Sequence, residues 1–228
     1  TDVPKFEWNE TSGDLWFNAG EKAGINRFDG EKMNYLIFPK PKTNDPNNSY
    51  GVTDISEGTD GKVWIATYNA LFMYDGKNTK SFDHEKLELK ENENLHIRSV
   101  LADSKGRIWI GNNGIGVLLM ENEKAINFSD KNGLINIFSS KNGNLSPAGT
   151  LEHVFVIEED SEGNIWFGDR DTGVWKYDGK NMTNYTIDSR LSKPMIWSIY
   201  KDNRNNLLFG MASGGVYIFN GKSFDKKF

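Results

Sequence analysis

The residues best equipped for chemistry are few and far apart. His96 and His153 each stand seven residues ahead of an aspartate, Asp103 and Asp160, in otherwise similar surroundings. Neutral imidazoles serve as metal ligands and as acid or base groups, and the shared offset predicts that both rings face one mouth of the molecule. His84 lies in the connection just before His96, so all three histidines are expected on that rim. Their spacing matches no metal motif, and neither a metal nor another cofactor is expected. Arg170 between Asp169 and Asp171, Arg98, Tyr68 with Asn69, and Asn112 with Asn113 are groups able to bind hydroxyls or a carboxylate, and Trp197 offers a face for stacking. The ligand-binding candidates are therefore Arg170, Asp169, Asp171, His153, His96, Arg98, Trp197, Tyr68, Asn112 and Asn113, with no residue assigned a catalytic role. For each the competing reading is ordinary solvated loop polarity.

Several function classes have no support. No Gly-x-Ser-x-Gly elbow, phosphate loop, His-Glu-x-x-His or nucleotide fingerprint occurs. With no cysteine there is no disulfide, thiolate nucleophile or Cys-ligated zinc. The net charge of -5, without a basic stripe, argues against nucleic acid as a partner. No apolar run is long enough to span a membrane. Thr1, without an initiator Met, reads either as an artificial boundary or as the start of a processed exported protein.

The elements that must position these residues repeat. Between Val154 and Tyr185 an alternating strand ends in an acidic Gly turn, Glu159 to Asn164; a second strand opens Ile165-Trp166-Phe167-Gly168; a third, Gly173 to Tyr177, closes on Asp178-Gly179; a short fourth follows. Four other stretches copy it, centred on Trp16, Trp64, Trp109 and Leu208, with separations of 48, 45, 57 and 42 residues. Four short strands at such a period are the signature of a β-propeller, because one blade cannot bury both of its faces alone. The expected fold is all-β, a five-bladed β-propeller of four-stranded antiparallel blades in a single domain. The blades fall at approximately 1–42, 43–90, 91–130, 150–190 and 191–228, with an insertion at 135–152. The ring is expected to close by pairing the first and last blades.

If strands A to D run outward from the axis, the Gly turns fall on one rim and the variable B–C and D–A connections on the other. That second rim would carry 18–24, 67–70, 112–116, 169–173 and 211–214, plus the insertion as a lid or a tolerated surface loop. Variation gathered on one rim of a regular scaffold is how binding surfaces are built. The repeated Trp residues read as packing between blades rather than ligand stacking.

The unit Glu159 to Gly168, followed by Thr172-Gly173-Val174 and Tyr177-Asp178-Gly179, closely resembles the two-component-regulator propeller repeat. So do Ala102 to Gly111 and the Ser129 to Leu134 connection. A weaker likeness is to streptogramin-lyase-type propellers, without their catalytic His and acid constellation. The first resemblance implies an extracytoplasmic sensor-type module, periplasmic or extracellular, or lipid-anchored before processing, often associated with glycans. The function expected is a non-catalytic propeller, a monomer, binding a glycan, another polar ligand or a protein partner at the loop rim. The alternatives are a lyase or hydrolase with acid and base residues on that rim, and a structural protein-protein interaction module.

Overall fold

The computed structural model describes residues 13–20, 22–40, 50–91, 93–136, 145–188 and 194–228. Five antiparallel sheets follow one another along the chain. The first holds β1 (Leu15–Asn18), β2 (Gly24–Phe28) and β3 (Met33–Ile37); the second β4 (Val52–Glu57), β5 (Val63–Thr67), β6 (Leu71–Tyr74) and β7 (Thr79–Phe82). The third holds β8 (Ile97–Ala102), β9 (Ile108–Asn112), β10 (Val117–Glu121) and β11 (Lys124–Asn127), and is followed by a single helical turn, α1 (Phe128–Lys131). The fourth holds β12 (Val154–Glu159), β13 (Ile165–Asp169), β14 (Gly173–Tyr177) and β15 (Met182–Tyr185). The fifth holds β16 (Ile196–Lys201), β17 (Leu207–Met211), β18 (Val216–Phe219) and β19 (Phe224–Lys226). In each the strands lie in sequence order, and β4, β8, β12 and β16 neighbour one another in succession, as the inner strands of propeller blades do.

Among the described residues the first sheet holds three of the expected four strands. Its β1 carries Trp16, the second-strand residue, and the anticipated inner strand with Phe6 and Trp8 lies outside the described residues.

The repeated acidic turn has a specific job. Asp103 sits at the end of β8, and its carboxylate accepts the backbone N–H groups of Lys105 and Arg107 while its other oxygen takes the Trp109 indole N–H at 2.8 Å. Asp160 repeats this with Glu162, Asn164 and the Trp166 indole at 2.7 Å. A buried indole needs an acceptor for its N–H, and the turn supplies one. The turn residues Gly61, Gly106 and Gly163 have φ of 74°, 76° and 80°, and Asn205 fills the same place at 64°, a conformation Asn tolerates.

These Trp residues, and Trp64, which has Gly58 in place of the aspartate, face the next blade. Trp64 packs against Ile97, Val100 and Ile110; Trp109 against Val154, Ile157 and Phe167; Trp166 against Ile196, Ile199 and Phe209. A fourth core joins Ile25 and Phe38 of the first blade to Ile65 and Phe72 of the second. Among the described residues no apolar core joins the fifth blade to the first; the first blade's anticipated inner strand, which the expected closure involves, lies outside them. The outer strand β3 instead exposes Met33, Tyr35 and Ile37, and β16 exposes Tyr200.

A β-bulge recurs in every described inner strand, between Val52 and Asp54, Ile97 and Ser99, Val154 and Val156, and Ile196 and Ser198. It explains the small residue, Ala66, Gly111, Gly168 or Gly210, that stands next to last in each of these second strands. A Cβ on Gly111 would meet Ser99 Oγ at 2.4 Å, and one on Gly168 would meet Val156 Cγ1 at 2.6 Å and Ile196 Cγ2 at 2.7 Å. Because Gly168 is pressed by its own blade and the next, Gly168→Ala is expected to destabilise the protein by about 1–3 kcal/mol through overpacking. A urea-unfolding midpoint equal to that of the unsubstituted protein would contradict this packing.

Candidate functional site

The four bulges decide what the mouth of the propeller displays. A bulge turns one extra side chain out of the regular alternation, and here the turned-out residues are Thr53, Arg98, Phe155 and Trp197, at the same position of four successive blades. They meet. The Arg98 guanidinium lies 4.3 Å from the Phe155 ring centroid, and the Phe155 and Trp197 rings are 6.0 Å apart. Trp197 is 59% exposed, unusual for so large an apolar side chain on an inner strand. Arg98 also donates from Nη1 to the Tyr68 hydroxyl at 3.2 Å, and Tyr68 packs edge-on against His96 with centroids 5.0 Å apart.

From His96 the strip continues through one amide. With Asn113 oriented as found, its Nδ2–H donates to His96 Nδ1 at 3.4 Å, and its Oδ1 accepts from His153 Nδ1–H at 2.8 Å. This places the proton of His96 on Nε2 and leaves Nε2 of His153 as a lone pair. That atom is buried with no partner among the described residues. Burial, aided by the charge of Arg98, lowers the His96 pKa, and burial with Arg170 lowers that of His153, so both rings favour the neutral form.

Other candidates turn inward and hold the loops. Asp169 is fully buried and accepts the N–H groups of His153, Asp171 and Thr172; burial nevertheless pushes its carboxyl up to about 6. Asn112 is its counterpart in the third blade, where Oδ1 accepts the His96 N–H at 3.2 Å. Arg170 forks onto Asp171 at 2.9 and 2.7 Å, and Asp171 also accepts the Ser146 N–H; these bonds outweigh burial and hold Asp171 below the usual carboxylate value. His84 does not join the other histidines: its Nε2 contacts the Lys90 carbonyl at 3.1 Å within its own connection. Among the described residues no group of three or more His, Asp or Glu side chains is placed to hold a metal.

Sequence reasoning missed two residues. Phe155 is the centre of the strip, and its signal was an alignment column reading Thr, Arg, Phe, Trp amid otherwise repeated positions. Glu152 is fully buried and its carboxylate accepts the Asn136 N–H and the Ser146 hydroxyl, tying together the two ends of the insertion. Residues 137–144 of the expected lid lie outside the described residues. Two further clefts, of about 220 and 310 Å³, open elsewhere: one between the acidic turns of the second and third blades beside Asp60 and Glu123, the other along the outer strand of the third blade beside Leu89 and Ile126. Neither is lined by an unpaired buried polar side chain among the described residues.

The tautomers are directly measurable. Long-range ¹H–¹⁵N spectra at neutral pH are expected to show His153 as the Nδ1–H form and His96 as the Nε2–H form, with Asn113→Ala abolishing the distinction. Because the folded pKa of each ring lies below the unfolded value of about 6.5, their neutral burial contributes stability that is complete above that pH. It is lost as pH falls through the folded values. A double His96→Gln, His153→Gln variant should show a shallower loss of stability below about pH 6.5; an unchanged slope would contradict it.

Comparison with known proteins agrees with this architecture. Residues 91–114 match the family described as two component regulator propeller, a segment that contains His96, Arg98, Trp109, Asn112 and Asn113. A histidine kinase, P4, of Formosa agariphila is 24% identical over 75 residues, which is 31% of this chain and 6% of the relative. Among solved structures, catalytically inactive virginiamycin B lyase of Staphylococcus aureus with quinupristin superposes on 94% of this chain and 66% of its own, at 12% identity and a TM-score of 0.68. The extracellular domain of a protein described as a one-component system of B. thetaiotaomicron covers 95% of this chain and 28% of its own, at 21% identity and a TM-score of 0.60. The chain thus spans less than two thirds of the length of each of these proteins. It is similar over residues 91–114 to the two-component-regulator propeller, and it shares its fold with an extracellular regulator domain and with streptogramin-type lyases.

Proposed function

We propose that this chain is a non-catalytic, exported binding module that senses a polar ligand, a glycan among the candidates, at the axial mouth. The single observation behind the reading is the strip Trp197, Phe155, Arg98, Tyr68, whose bulged members leave an apolar face and a cation facing outward together. Structural economy would bury such rings; a scaffold that repeats a bulge in four blades while varying the residue it displays is serving recognition. The likeness to extracellular regulator domains supports both the sensing role and export. Among the described residues no helix is long and apolar enough to cross a membrane.

A second reading, a lyase or hydrolase, draws on one observation, the unpartnered Nε2 of neutral His153, together with the fold shared with virginiamycin B lyase. Its weakness is access, because His153 is only 5% exposed and no described acid converges with its Nε2.

The test is calorimetric titration with a panel of neutral and acidic oligosaccharides and peptides, with Trp197 fluorescence isolated as the difference from a Trp197→Phe variant and product analysis of each mixture. Binding without turnover, weakened at least tenfold in Trp197→Ala, is expected, about the loss of one stacking contact. Turnover abolished by His153→Ala would favour the second reading, and silence of Trp197 to every compound would remove the mouth as the site.

A further inference from the structure

Among the described residues the mouth has a charge without a carboxylate partner. Arg27 is bonded to Asp14, Arg107 to Asp103 and Arg170 to Asp171. Arg98 has no such partner: among the described residues its guanidinium makes one hydrogen bond, to the neutral Tyr68 hydroxyl, and lies against the Phe155 ring. Of the carboxylates on the adjacent inner strands, Asp54 is engaged by the Val100 N–H and Glu158 faces Lys201 at 3.8 Å, while Glu57, at the far end of β4 beside the Gly turn, makes no ion pair with Arg98. The neighbouring imidazoles supply no negative charge. A guanidinium taken partly out of water without a counter-ion is costly unless something restores one.

The stacking geometry also fixes which part of Arg98 is available. With Nη1 on Tyr68 and the Phe155 ring centroid 4.3 Å from Cζ, the Nε and Nη2 donors have no partner among the described residues, and that edge of a guanidinium is a planar fork that fits a carboxylate through two parallel bonds. Phe155 and Trp197 continue the platform beside it, so a ligand held at the fork would lay its attached ring on them. Thr53 Oγ1, at the same bulge position one blade back, is buried without a partner among the described residues.

We infer that the mouth takes an anionic ligand, a carboxylate carried on a ring, with Arg98 as its counter-charge and Phe155 and Trp197 as the platform for the ring. This rests on the mouth being the binding site. The carboxylate could belong to an acidic sugar or to an aromatic acid, and both present the same fork partner and the same flat face.

Two probe pairs test it: galacturonate beside galactose, and benzoate beside benzamide. Each is titrated into the whole chain while Trp197 fluorescence and the ¹⁵Nε–H signal of Arg98 are followed. The acid of at least one pair is expected to bind about tenfold or more tightly than its neutral partner, to shift the Arg98 signal, and to weaken as salt is raised. The pair that responds identifies the source. Arg98→Met should erase the preference for the acid, and Arg98→Lys should restore part of it by returning the charge without the fork. Circular dichroism and the thermal midpoint check that both variants are folded. If acid and neutral partner bind alike, or Arg98→Met leaves the preference intact, the anion site is overturned while the mouth remains a binding site. If none of the probes perturbs Trp197 or Arg98, the anion site is overturned, and the mouth itself then stands or falls with the wider panel.

Discussion

The hydrogen bond from a buried indole to a turn carboxylate is the interaction on which the rest depends. Asp103 with Trp109, and Asp160 with Trp166, tie the turn between the first two strands of a blade to the residue that fills the gap to the next blade. Without that acceptor the indole N–H would be buried unpaired, at a cost of about 1–3 kcal/mol. Local turn chemistry and interblade packing are therefore one unit. In the fifth blade, with Leu208 in place of Trp, the second oxygen of Asp202 keeps the bond from the Asn206 amide that Asp160 also receives from Asn164, without an indole beside it.

Packing of this kind propagates outward from a single column of small residues. Gly111, Gly168 and Gly210 allow the bulged inner strand to lie close over the second strand, and the bulge in turn frees one side chain per blade for the mouth. Scaffold positions thus stay constant and the displayed position varies. The same separation explains why the inward carboxylates differ from the outward cation. Asp169 and Glu152 spend their oxygens on backbone N–H groups and a hydroxyl that shape the loops, whereas Arg98 keeps most of its donors unspent.

Strand positions, turn types and the packing role of the repeated Trp were all legible, because each is a local or periodic property. Asn205 was readable as a stand-in for Gly, and it adopts positive φ. The site was legible only in part. His96 and His153 could be placed on one mouth from their matching offsets, but nothing in the spacing revealed that Asn113 joins them or that His84 stands apart. Phe155 went unnoticed because, in a strand of alternating apolar residues, a bulge leaves no mark on hydrophobic pattern alone.

The sequence by itself determined the repeat, the four-strand unit, the turns and the apolar seams between blades, since these follow from residue types at fixed short separations. Only the tertiary structure decided which residues meet at the mouth, which carboxylates are consumed in holding loops, and that the cation at the mouth has no carboxylate partner among the described residues. It also decided that no described core joins the fifth blade to the first. The physical reason is common to all of these. Blade-to-blade distances, bulge direction and burial depend on how whole sheets stack, and a contact between residues forty positions apart costs the sequence no visible pattern.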